Sequence, residues 1–158
     1  IHTCLDTSGI TFQPDNPTRM EAFDRLMQST DLVMLDIKHI DDAEHQKLTK
    51  QSNRHILEFA EYLKEKGVPV WIRHVVVPGI TLNDDYLRQL GHFIGGLDNL
   101  KALDVLPYHT MGEVKYENLG IDYPLKGVPA ATKEQAIHAK QVIFEGIKER
   151  IREDIQKH

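Results

Sequence analysis

The residues that could do chemistry sit where short apolar runs end. Asp6 and Thr7 close the first run, and Asp36, Lys38 and His39 close the second. Arg73 interrupts the third in its middle, and Tyr108-His109 follow the fourth. Asp36 and Lys38 are two positions apart, so on an extended strand they share one face. Two carboxylates brought close repel each other unless a cation or an ammonium group lies between them. A Lys and an Arg beside them could hold a carboxylate. Together these types suit a small anionic or zwitterionic ligand. Each has a structural alternative as well: polar residues are common at strand ends, and Arg73 inside an apolar run could be a structural ion pair with Asp6 or Asp36.

The elements that position these residues alternate. Ile1 to Thr7, Asp31 to His39, Val68 to Pro78 and Leu100 to Leu106 read as strands, the third richest in β-branched and aromatic residues. The unbroken apolar centre of Asp31–His39 predicts a strand covered on both faces. Helices are expected from Thr18, with Glu21 completing a capping box, and through Ile56, Ala60 and Leu63 up to Gly67. Another is expected from Asn83 to Gly95-Gly96, and a long last one from Thr132 with Gln135 as a second capping box. Its apolar stripe is Ala136, Ala139, Ile143, Ile147, Ile151 and Ile155. Asp41 to Gln51 reads as a polar segment, and Tyr108 to Pro129 has no period, the mark of a functional or mobile stretch. Four strand–helix alternations predict an α/β fold with a parallel sheet, its strand ends on one side. In such folds the chemistry sits there.

Composition excludes several classes. The chain has 158 residues, 41% of them hydrophobic and 27% charged, which fits one folded domain spanning 1–158. A net charge of −5 gives no support to a nucleic-acid partner. No apolar run is long enough to span a membrane. Cys4 is the single cysteine, so no intrachain disulfide and no three-cysteine metal site can form, and it reads as a buried apolar residue. The histidines, among them His2, His39, His45, His55, His74, His92, His138 and His158, show no ligand spacing. Trp71 reads as core, and Lys140, Lys148, Glu149, Arg150 and Glu153 as a solvated face. The start at Ile1, inside an apolar segment, reads as a cut chain.

The strings HTCLDTSG, TDLVMLDIKH, VWIRHVVVPG and LPYHTMG resemble the glycyl-radical-enzyme activating family of the radical S-adenosylmethionine superfamily. The resemblance implies a partial parallel (β/α) barrel, about four βα units of a (β/α)6 barrel, with the N-terminal part absent. It implies a cytoplasmic oxidoreductase of anaerobic glucose metabolism. A [4Fe–4S] cluster and S-adenosylmethionine would yield a 5′-deoxyadenosyl radical that takes a hydrogen from a glycine of pyruvate formate-lyase. Residue by residue, it places Asp6, Thr7, Met34 (through its carbonyl) and Asp36 at a monovalent cation. Lys38, Asp36, Arg73 and His109 would lie at S-adenosylmethionine, and Arg73 near the substrate glycine loop in a catalytic role. An electron donor such as flavodoxin is a further implied partner. The family's Cys-x3-Cys-x2-Cys motif and its Gly-Gly-Glu segment are absent, so this chain alone is expected to be inactive. Losing the first strands would expose the edge at Ile1–Leu5 to self-association. Two other readings stand beside this one: a Schiff-base enzyme using Lys38, and a non-catalytic domain that docks the lyase through Tyr108–Pro129.

Overall fold

A computed structural model describes residues 1–157; His158 lies outside the described residues. The strands are β1 (Cys4–Thr7), β2 (Leu32–Asp36), β3 (Val70–Val76) and β4 (Leu100–Pro107). They form one parallel sheet in the order β1-β2-β3-β4. The helices are α1 (Pro17–Met27), α2 (Asp42–Thr49), α3 (Arg54–Glu65), α4 (Asp84–Ile94), α5 (Glu113–Asn118) and α6 (Lys133–Gln156). Sequential neighbours pair throughout, as successive crossovers of one hand require. The α/β class and the parallel sheet expected from the alternation are therefore present.

One face of the sheet carries the core. Val33, Leu35, Ile37, Val70, Ile72 and Val76 are buried against Ile56, Phe59 and Leu63 of α3, Leu87, Leu90 and Ile94 of α4, and Ala139 and Ile143 of α6. The other face stays partly open. β3 alternates strictly, with Val70, Ile72, His74 and Val76 buried and Trp71, Arg73 and Val75 half-buried between them. β2 does the same, with Leu32, Met34 and Asp36 half-buried. The unbroken apolar run of β2 is thus not a strand buried on both sides. Trp71 is not core either: it stands on the open face, and its indole nitrogen has no hydrogen-bond partner. Cys4 is exposed at the sheet edge rather than buried.

One helix start, two helices where none was expected, and the buried face of the last helix differ from expectation. Asn16, not Thr18, caps α1, accepting a hydrogen bond from the Arg19 amide with Pro17 at the first position. The polar segment after β2 is a helix, α2, because Asp41 caps it by accepting from the Glu44 amide at 2.9 Å. The stretch after β4 holds a 3-10 turn, Thr110–Gly112, and then α5. Thr132 and Gln135 do form the capping box of α6. Its buried face, however, is Ala136, Ala139, Val142, Ile143 and Gly146, and Ile151 and Ile155 are exposed. α4 and α6 cross almost backbone to backbone: a Cβ on Gly91 would run into the Ile143 carbonyl, and one on Gly146 into the Arg88 carbonyl.

Candidate active site

The open sheet face brings four of the expected residues into one connected group. Asp36 and Arg73 are direct neighbours across β2 and β3, while Asp6 stands two residues earlier along β2, opposite Met34. Alternation puts all three side chains on the open face. The Arg73 guanidinium spans both carboxylates. Its Nε donates to Asp36 Oδ1 at 2.8 Å, and its two terminal nitrogens donate to Asp6 at 2.6 and 2.9 Å. Lys38 Nζ donates to the other Asp36 oxygen at 3.2 Å. The cation between the two carboxylates is therefore a side chain of the protein. The pairing with Asp36 first, and then Asp6, raises the Arg73 pKa against its partial burial.

This arrangement explains why an arginine is tolerated within an apolar strand. The guanidinium forks into two carboxylates supplied by the two preceding strands, so the charge of Arg73 is paired on both sides. Asp104 of β4 aligns with Arg73 and Asp36 in the same row, a residue the sequence reading passed over. Its signal was available: Ala102, Asp104 and Leu106 share one face of β4 by simple alternation.

The remaining expected residues take other positions. Met34 lies on the same face, between Asp6 and Trp71 in register. The Thr7 hydroxyl accepts from the Gly9 amide at 3.0 Å, which commits it to the turn after β1. His109 is exposed just beyond β4, at the start of the 3-10 turn, with no hydrogen bond to the group among the described residues. His39, just beyond β2, and His74 of β3 turn to the helix-covered side instead. His74 is fully buried, its Nδ1 donates to the Ile37 carbonyl at 2.8 Å, and burial pushes its pKa down to about 4. Burial also lowers the pKa of His39. These are structural histidines.

Beside Lys38 opens a cleft of about 590 Å³ between the end of β3, the end of α2 and the segment after β4. Thr49, Lys50, Tyr108, Tyr116 and Tyr123 line it. The Tyr108 and Tyr123 hydroxyls lie 2.9 Å apart, and the Tyr116 ring meets Tyr123 edge-on. Burial and that hydrogen bond push Tyr123 up to about 12. Lys50 reaches the cleft because it ends α2 in the left-handed conformation, with φ of 64°. The Tyr108–Pro129 stretch thus forms one wall of a cavity.

A parallel α/β sheet with a charged group across the strands and a cleft past their C-terminal ends is a ligand-binding βα scaffold of the barrel type. Within that class the family is specific. The model of the Radical SAM superfamily matches residues 1–90, and the chain belongs to that superfamily. The pyruvate formate-lyase-activating enzyme of Streptococcus mutans is 46% identical over 155 residues, which cover 96% of this chain and 59% of that protein. The one from Staphylococcus epidermidis is 47% identical over 147 residues, covering 92% and 58%. The chain thus spans less than two thirds of the length of these relatives. A solved domain of a pyruvate-formate lyase-activating enzyme from Bacteroides vulgatus shares the fold, with a TM-score of 0.71 at 20% identity over 92% of this chain and 77% of that one.

The superfamily implies S-adenosylmethionine and a [4Fe–4S] cluster, and the residues present fit the two differently. An amino-acid end, with its carboxylate and ammonium, matches a face carrying Lys38, Arg73, Asp6 and Asp36. A [4Fe–4S] cluster is held by several cysteine thiolates, and Cys4 is the one cysteine. This chain's own side chains do not make that cluster site, and among the described residues no group of three or more His, Cys, Asp or Glu is placed to hold a metal ion. No described helix is long and apolar enough to cross a membrane.

Proposed function

We propose that these residues form the S-adenosylmethionine-holding portion of a glycyl-radical activating enzyme that acts on pyruvate formate-lyase. The observation that supports it is the Asp6–Arg73–Asp36–Lys38 group, aligned on the open face beside the cleft at the strand ends. In this reading Lys38 takes the carboxylate of S-adenosylmethionine and His109 makes a second contact. Arg73 stands near the incoming glycine loop as the catalytic side chain. Asp6, Thr7, the Met34 carbonyl and Asp36 take a monovalent cation, which must displace the guanidinium from between the two carboxylates.

S-adenosylmethionine, when bound and reduced through a cluster, supplies the radical that removes a hydrogen from glycine. The cysteines for that cluster are not among these residues, so the 158 residues alone are inactive. The lyase meets the Tyr108–Pro129 wall, an electron donor such as flavodoxin serves the cluster, and the whole works in the cytoplasm. The free edge of β1 allows self-association, which a monodisperse monomer in sedimentation would contradict. Lys38 is not a Schiff-base nucleophile in this reading, because its ion pair uses the ammonium form. Borohydride with a carbonyl compound should leave no adduct on it.

The test has two arms. Anaerobic incubation of the chain with lyase, S-adenosylmethionine and reductant should give no glycyl radical signal in electron paramagnetic resonance. S-adenosylmethionine should nonetheless bind weakly, and Lys38→Ala should reduce that binding. Binding that is indifferent to Lys38 and Arg73 overturns the site assignment, and a radical signal from the chain alone overturns the claim that it is inactive.

A further inference from the structure

The outward face of α6 carries a feature that the candidate site does not use. Ile137, Phe144 and Ile151 recur at seven residues and Ile155 follows four further on. At 100° per residue these four fall within about 40° of one another on the helix surface and run for about 27 Å. Their exposures are 50%, 42%, 46% and 70%, although this helix buries a full face against α4. So narrow a stripe at heptad spacing supplies one of the two apolar positions per heptad of a coiled-coil seam, with Gln141 and Lys148 at the other until Ile155 fills it. A membrane-surface helix presents a broader apolar face.

The charges of α6 are sorted around that stripe. Four of its five acids are engaged in ion pairs: Glu145 and Glu149 pair with Arg88 at 3.0 and 2.7 Å, Glu153 with His92 at 3.0 Å, and Asp154 with Arg150 at 2.8 Å, while Glu134 stands in the first turn beside the Thr132 cap. Lys133, Lys140, Lys148 and Arg152 alternate with the apolar residues, are exposed, and make no ion pair among the described residues. Lys140 instead lies 6.0 Å over the Phe144 ring. The outward face is thus cationic on a chain whose net charge is −5. A second copy would set these cations against their own kind in either orientation, which is repulsive. An acidic helix would neutralise them and cover the isoleucines at the same time.

We propose that the outward face of α6 is a docking site for an acidic amphipathic helix of another protein, with Ile137, Phe144, Ile151 and Ile155 as the seam and Lys140, Lys148 and Arg152 as its charge selectors. The inference is independent of the S-adenosylmethionine reading, since α6 turns its buried face to α4 and shares no residue with that site.

The test titrates the chain with a labelled 21-residue helical peptide that has Leu and Ile at its heptad seam and Glu on both flanks. A peptide with Lys in place of those Glu serves as control, and fluorescence anisotropy is the readout. The acidic peptide should bind at least tenfold tighter than its basic counterpart and weaken as salt rises. K140E/K148E should reverse the preference while leaving thermal unfolding unchanged, because both side chains are exposed. I151S should weaken both peptides without altering the preference. Equal binding of the two peptides overturns the proposal. So does binding to vesicles of anionic lipid with none to the acidic peptide, or a dimer in sedimentation that I151S dissolves.

Discussion

Arg73 and Asp6, 67 positions apart in sequence, meet as a bidentate pair at 2.6 and 2.9 Å, while the same guanidinium holds Asp36 through Nε. The pair crosses β2 to join an edge strand to the centre of the sheet. It also decides the electrostatics of the open face: two carboxylates that would repel each other share one cation. Any ligand or ion that enters between them must first move this side chain.

Removing that cation should be felt in stability as well as in binding. Arg73→Gln leaves Asp6 and Asp36 facing each other, and the side chains of Arg73 and Asp36 are only 20% and 24% exposed. A hydrogen bond to a charged group is worth about 1.5–3 kcal/mol, and screening at the exposed Asp6 end reduces its share. We expect a loss of roughly 2 kcal/mol in denaturant unfolding. Asp36→Asn combined with Arg73→Gln should cost less than the two single changes added together. Strict additivity would mean that the pairing contributes nothing.

Stability should fall on acidification through the buried His74. Its pKa is about 4 when folded, against an ordinary value of 6.5. Between those values the unfolded chain binds the proton and the folded chain does not, so stability rises with pH across this window and is complete above it. A fully buried group with this shift contributes about 3 kcal/mol, to order of magnitude, and His39 adds to it in the same direction. Chemical unfolding measured from pH 7 to pH 4.5 should show the slope, and His74→Gln should flatten it.

Much of this was legible in the sequence, because strands of a covered sheet announce themselves by β-branched runs and helices by period and cap. The capping box at Thr132 and the Asn83 cap of α4 were both readable, and so was the gathering of Asp6, Asp36, Lys38 and Arg73. What stayed hidden depends on partners far away in the chain. Nothing local tells that Met34 and Trp71 face an open side while Val33 and Ile72 face helices, since all four are apolar. Ile151 and Ile155 continue the four-residue spacing of Ile147, but each such step drifts about 40° around the helix and carries them onto the face turned away from α4. The cleft tyrosines have no period because α5 is one short helix inside a long connection.

The α4–α6 crossing should be intolerant of even one added carbon. Gly91 and Gly146 sit where the two backbones touch, each facing a carbonyl of the other helix. Gly→Ala ordinarily favours a helix by about 1 kcal/mol. Here the methyl has backbone rather than a flexible side chain before it, so the helices must separate and loosen Leu87, Leu90 and Ile143. Gly91→Ala and Gly146→Ala should each lower stability by about 2 kcal/mol or more in urea unfolding. A neutral or stabilising result would place the helices farther apart than described.

Lys38 offers the sharpest test of the ligand reading. Its side chain is 42% exposed and its ammonium pairs with one Asp36 oxygen at 3.2 Å, the longest contact of the group, so it is the donor freest to turn toward an incoming carboxylate. S-adenosylmethionine and its decarboxylated form differ at that carboxylate alone. If Lys38 holds it, Lys38→Ala should weaken S-adenosylmethionine by about tenfold or more, the worth of one charge-assisted hydrogen bond. The same change should leave the decarboxylated form nearly unaltered. Asp36→Asn should act in the opposite sense on the carboxylate by releasing Lys38, while weakening any hold on the ammonium end. Ligand-observed magnetic resonance reads affinities this weak. Equal losses for both ligands in Lys38→Ala would mean that the side chain shapes the face without touching the carboxylate, and the group would then be a structural clamp.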